Sequence, residues 1–158
     1  MRHQTNILTV YISLLFAFTA NLLPWFGQGV AFRPDFVLLV LIFWILRTPQ
    51  LCNIGTAWFF GLLVDLATGG LFGQFALAYA LTAYFAVNYQ RRLVLYNIWQ
   101  QAAYVFMLLL LSQLIVLLLK IFAGHDIPSW HYFFPSLAGI IVWQLYMIIS
   151  NQQHSNKN

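Results

Sequence analysis

Hydrophobic positions in this chain fall in long continuous runs, separated by short clusters of Pro, Gly, Asn and charged residues. Runs approaching about 20 apolar residues cross the hydrocarbon core of a bilayer as helices. A membrane barrel would instead require period-two alternation, which these runs lack. The pattern predicts six spans. The first, residues 7–23, ends at Pro24-Trp25, an aromatic beside a helix breaker; the second covers 30–46 and the third 54–68. Gly69-Gly70 makes a tight turn into a fourth, 71–89. The fifth, 102–122, carries Leu108 to Leu111 unbroken, the sixth covers 133–150, and a polar tail occupies 151–158. The expected fold is an all-α polytopic membrane protein, a single integral membrane domain over 1–158 with its helices in one bundle. Arg2 ahead of the first run raises the alternative of a signal peptide. The run is about 17 residues, long for such a segment, and the small-residue cleavage site near Ala20 is poor. It is read as a retained first helix.

Composition sharpens this picture. Hydrophobic residues make up 62% of the chain and charged residues 6%, with a mean hydropathy of +0.79. Soluble domains carry about 25% charged residues, so no large water-exposed surface can be built here. Glutamate is absent, and the acids are Asp35, Asp65 and Asp126. The net charge of +4 does not indicate nucleic-acid binding, because the seven basic residues are scattered along the chain. They report topology instead. With the N-terminus inside, the cytoplasmic ends carry Arg2, Arg47, Arg91, Arg92 and Lys157, and the opposite side carries Arg33 and Lys120. This bias predicts cytoplasmic termini. Trp25 and Trp130 fall at outer span ends, Trp44 and Trp99 at inner ones. The stretch Arg91 to Gln101, with Leu93, Tyr96 and Trp99 among polar residues, fits either a segment lying along the interface or a loop with an aromatic anchor.

Candidate chemistry is sparse. Cys52 is the only cysteine, which excludes an intrachain disulfide and a cysteine metal cluster. The histidines, His3, His125, His131 and His154, sit at the termini or in one loop. His125-Asp126 with His131 matches no helix-borne metal spacing, and solvated loop residues are the favoured reading. No serine or cysteine nucleophile has a plausible base and acid, and no phosphate loop or carboxylate pair is present. Neither an enzyme nor a cofactor is expected.

Ionisable residues at the outer span ends stand out. Arg33-Pro34-Asp35 opens the second span, with Pro34 suited to a first helical turn and Asp35 to the positive end of the helix dipole. From Pro34 to Leu46 a helix would reach only about 20 Å, short of the roughly 30 Å hydrocarbon core. Either the helix begins before the proline, or Arg33 and Asp35 lie in a protein-lined or wet pocket. Asp65 sits among Leu63, Val64 and Leu66. An acid at a helix centre costs about 2.5–3.5 kcal/mol, less near an end. The span's large apolar residues return roughly 2–4 kcal/mol, so this helix needs partners. Gly61, Asp65 and Gly69 recur every four residues on one face, and Gly73 continues the interval. Small residues at that spacing permit close helix approach. Asp65 then either pairs with Arg33 or caps a backbone end, the favoured reading, or joins Arg33, Asp35 and Lys120 in an outward-facing ligand site. Ser112, Gln113 and Gln144 are read as interhelical hydrogen-bonding residues.

Together these pieces carry a family resemblance. Phe32-Arg33-Pro34-Asp35, Val37-Leu38-Leu39, Trp44-Ile45-Leu46, Pro49, Asn53-x-Gly55-Thr56, and Gly61-x3-Asp65-Leu66 with Gly69 and Gly73 stand in order. With Leu77-Ala78 and Trp99-Gln100-Gln101, they resemble the rod shape-determining protein family MreD, in its Gram-negative form. The likeness covers residues 30 to 101 well and the remainder by length and hydropathy. It implies a non-enzymatic scaffold of the cell-elongation machinery in the bacterial inner membrane. Such a protein would work with an MreC-like membrane-anchored coiled-coil protein and, indirectly, with MreB, RodA and a class B penicillin-binding transpeptidase in peptidoglycan synthesis. It also implies a fold similar to the substrate-binding subunit of energy-coupling-factor transporters. The family motif maps onto Arg33, Pro34, Asp35, Gly61, Asp65, Gly69 and Gly73. The alternative is a small-molecule-binding membrane subunit of a transporter.

Overall fold

In the computed structural model, residues 6–24, 27, 33–93, 95–126 and 129–155 are described. Arg2, Trp25 and Lys157, which bear on topology, Phe32, which bears on the resemblance, and the candidate histidine His3 lie outside them. The described residues form six α-helices, and no strand is found among them. They are α1 (Ile7–Leu22), α2 (Phe36–Arg47), α3 (Ile54–Thr68), α4 (Gln74–Leu93), α5 (Ile98–Phe122) and α6 (Phe134–Ser155). A short 3-10 turn, Trp130–Phe133, leads into α6. The helices are those of a membrane protein. Ile98–Phe122 and the continuous stretch Trp130–Ile149 are long and apolar enough to cross a bilayer, and α1, α2 and α3 are shorter apolar helices.

Helix boundaries differ from the expected spans where caps and turns decide them. α2 starts at Phe36 rather than near 30, because the Asp35 side chain accepts the Leu38 N–H at 3.2 Å and so caps the helix. Pro34 therefore precedes the cap instead of occupying the first turn. α4 starts at Gln74, after a turn that runs on to Gly73 (φ 93°). α5 starts at Ile98, four residues before the expected 102, where the Asn97 N–H donates to Gln100 Oε1 at 3.3 Å. The described residues of the stretch 91–101 are thereby divided between the end of α4, a turn and the first turn of α5. α6 runs on to Ser155, into the residues expected as a polar tail.

The shortest helix is the innermost. α2 buries Val37, Leu38, Leu39, Leu41, Ile42, Ile45 and Leu46, the signature of a helix apolar on every side. It touches every other α-helix of the bundle. α1 lies along α2, burying the stripe Val10, Leu14 and Ala17, and Trp44 Nε1 donates to Ser13 Oγ at 2.7 Å. α3 and α4 form the most extensive helix pair, and α5 packs between α4 and α6. Outward faces are strongly apolar: Phe16 is 76% and Phe122 86% exposed. Water would not tolerate so much exposed apolar surface, whereas lipid tails do.

Candidate functional site

The α3–α4 turn is built around one carboxylate. Asp65, only 2% exposed, accepts three backbone N–H groups: Gly73 at 3.1 Å and Ala76 at 3.0 Å on Oδ2, and Phe75 at 3.0 Å on Oδ1. These are donors of the α4 N-terminus that have no partner inside their own helix. The negative charge also meets the positive end of the α4 dipole. Gly69, at φ 64°, ends α3 and donates its N–H to the Asp65 carbonyl at 3.1 Å. A Cβ on Gly61 would lie 2.6 Å from both Ala76 Cα and the Phe75 carbonyl oxygen. The interval Gly61, Asp65, Gly69, Gly73 thus has one physical cause. The first glycine lets the two backbones meet, the acid caps the second helix, and the last two turn the chain between them.

A second carboxylate ties three helices together. Asp35, capping α2, also accepts Asn21 Nδ2 from α1 at 3.4 Å and the Tyr79 hydroxyl from α4 at 2.5 Å. Tyr79 is fully buried. Lower in the bundle, Gln90 Nε2 donates to the Leu46 carbonyl at 3.2 Å, satisfying an end carbonyl of α2.

Next to Asp35, at one end of the bundle, lies a cavity of about 550 Å³. Its walls come from the end of α1, the segment before α2 with Leu38 of α2, the end of α3, Phe75 of α4, the C-terminal half of α5, the 3-10 turn and the start of α6. Arg33, Asp35, Lys120, His131 and the Tyr132 phenol are its ionisable members. Ser112 and Gln113 face it from α5 and Ser136 from α6. Ser136 Oγ donates to Gln113 Oε1 at 2.6 Å, and the Lys120 ammonium lies 5.6 Å from the centre of the Tyr132 ring, within cation–π range. Arg33 to Asp35 are non-helical, so backbone that would be costly against lipid lines a cavity instead.

The residues singled out by sequence therefore separate into two sets. Arg33, Pro34, Asp35 and Lys120 meet at the cavity, while Gly61, Asp65, Gly69 and Gly73 form the adjacent turn and are not among its walls. His131 lines the cavity; His125 and Asp126 lie beyond the end of α5, and no cluster of three metal-ligating residues occurs among the described residues. Sequence reasoning missed Asn21, Tyr79 and Ser136. Asn21, a lone amide in an apolar run, carried a usable signal; Tyr79, amid Leu77, Ala78 and Ala80, looked like any packing aromatic.

Comparison with known proteins agrees with this architecture. A family model described as rod shape-determining protein MreD matches residues 1–152. Rod shape-determining protein MreD from Haemophilus influenzae is 28% identical over 147 residues, covering 89% of each chain. No solved structure matches the chain.

Proposed function

This chain belongs to the rod shape-determining protein MreD family, and from that premise we propose that it maintains rod shape as a non-enzymatic scaffold within the inner membrane. All six helices, α1 to α6, span the bilayer in this reading, as one domain with both termini cytoplasmic. The arrangement is akin to the substrate-binding subunits of energy-coupling-factor transporters. An MreC-like membrane-anchored coiled-coil protein docks on the bundle, which thereby joins MreB on one side of the membrane to RodA and a class B penicillin-binding transpeptidase.

The observation that carries the scaffold reading is how the buried acids are used. Asp65 is spent on three backbone N–H groups and Asp35 on three donors from different helices. Both hold the bundle rigid, which is what a docking platform requires. Apolar residues on α1, α5 and α6 remain outside, including Leu8, Met107, Leu118 and Ile141, available to lipid or to partner spans.

Depletion of the protein in its rod-shaped host, followed by in-membrane cross-linking of a tagged chain and mass spectrometry, tests the reading. Rounded cells and recovery of a coiled-coil partner with wall-synthesis enzymes are expected. Normal rods after verified depletion, or recovery of a transport ATPase and no wall proteins, would overturn it.

A further inference from the structure

The cavity holds an imbalance of charge. Its one carboxylate, Asp35, is already engaged by the Leu38 N–H, Asn21 Nδ2 and the Tyr79 hydroxyl. Arg33 and Lys120, both half-buried, face the same space. Among the described residues Arg33 forms no hydrogen bond or close ion pair, and the Lys120 ammonium has the Tyr132 ring face as its contact. A cation held within a membrane bundle is costly unless an anion or water compensates it. Asp35 offsets part of this charge by its electrostatic interaction with Arg33, but two cations face one carboxylate, and the excess positive charge leaves room for an anion from outside the chain.

The shape of the lining narrows the choice. Arg33 presents a planar fork suited to two oxygens of one phosphate, and Lys120 adds a point charge. Ser112 adds a hydroxyl to the lining, whereas the Tyr132 hydroxyl already donates to the Gln113 carbonyl at 3.4 Å. Phe18, Leu22 and Val116 give the same cavity an apolar side. A space of about 550 Å³ is far larger than inorganic phosphate needs and falls in the usual range for organic ligands. We propose that this cavity binds the phosphate group of an anionic lipid, with Arg33 and Lys120 as its cationic contacts and the first acyl carbons against Phe18 and Leu22. The inference concerns a ligand of the bundle itself and does not rest on the partner proteins named above.

The full-length protein, purified into phosphatidylcholine nanodiscs, is titrated with phosphatidylglycerol and, separately, with inorganic phosphate. Thermal unfolding and native mass spectrometry are the readouts. Phosphatidylglycerol is expected to raise the midpoint and remain bound, with phosphatidylcholine and inorganic phosphate much weaker. Removing one charge-assisted contact costs on the order of tenfold in affinity, so K120Q should lose about that much and R33Q/K120Q more. Lys120 is only half-buried, so K120Q provides the test even if the double variant fails to fold. H125Q, altered outside the cavity walls, should bind as the parent does. Equal protection by inorganic phosphate would overturn the lipid assignment. Absence of phosphatidylglycerol binding, or unchanged binding by a folded K120Q, would overturn the site.

Discussion

The Tyr79 hydroxyl of α4 donates to the Asp35 carboxylate at the start of α2, joining two residues 44 positions apart in a side-chain contact inside the bundle. A single acid thereby caps one helix and fastens two others to it.

Removing that hydroxyl should be costly. Tyr79→Phe leaves a partly buried carboxylate oxygen without its donor and is expected to destabilise the protein by about 1–3 kcal/mol. Asp35→Asn keeps an acceptor for Leu38 and should cost less. A double-mutant cycle on detergent-solubilised protein measures the coupling; strict additivity of the two losses would show that the pair contributes nothing.

Asp65 is expected to be the more sensitive acid. Asp65→Ala strips the acceptor from three N–H groups at once, for a predicted loss of about 2–4 kcal/mol, more than a typical single cap. Asp65→Asn retains one carbonyl oxygen and should fall between Ala and the parent. Hydrogen exchange at the Phe75 and Ala76 amides gives a local readout and should rise first in the Ala variant. Unchanged exchange there would remove the capping account.

The two glycines flanking Asp65 should respond differently. A Cβ at Gly61 meets backbone atoms of Phe75 and Ala76, so Gly61→Ala must push α3 and α4 apart, at about 1–3 kcal/mol. Gly69 has open space around it but φ 64°, so Gly69→Ala carries only the left-handed backbone strain of about 1–2 kcal/mol. Cross-linking between cysteines placed on α3 and α4 should weaken in the first variant and persist in the second.

Cys52, in the connection between α2 and α3, is fully buried, and its thiol contacts the Leu41 carbonyl at 3.9 Å. Burial pushes its pKa up to about 12. The folded thiol therefore stays protonated and should react with maleimide at pH 8 only after unfolding. The raised value stabilises the folded state fully below the ordinary thiol pKa. That contribution declines as pH rises beyond about 9. Rapid labelling of the native protein at pH 8 would contradict this placement.

Gln74 offers a change in the other direction. It is buried, and its Oε1 has no hydrogen-bond partner among the described residues. Gln74→Met keeps the length and removes the unsatisfied acceptor. The predicted effect is neutral to stabilising by about 1 kcal/mol, read as an unchanged or higher unfolding midpoint.

Much of this was legible along the chain. The expected third span, 54–68, coincides with α3: Asn53 Oδ1 accepts the Gly55 N–H at 3.0 Å at its start and Gly69 turns the chain at its end, because caps and left-handed turns are local chemistry. The four-residue interval from Gly61 to Gly73 marked a close helix face for the same reason. The start of α2 was misjudged: apolar residues before Arg33 extend the hydrophobic run, but the cap at Asp35 decides where helical hydrogen bonding begins. α4 and α5 were misplaced by a few residues on the same principle.

By itself the sequence determined an all-helical, lipid-compatible chain, its principal helices, and which residues share a face within each. Those properties depend on hydrophobicity and on a 3.6-residue period, both local. Tertiary structure alone decided that Asp65 serves the α4 N-terminus rather than Arg33, that Tyr79 is the partner of Asp35, and that Arg33 and Lys120 share a cavity without Asp65. Those pairings cross between helices. Periodicity specifies the face a helix presents, but the packing of side chains and backbone across the bundle selects the face it meets.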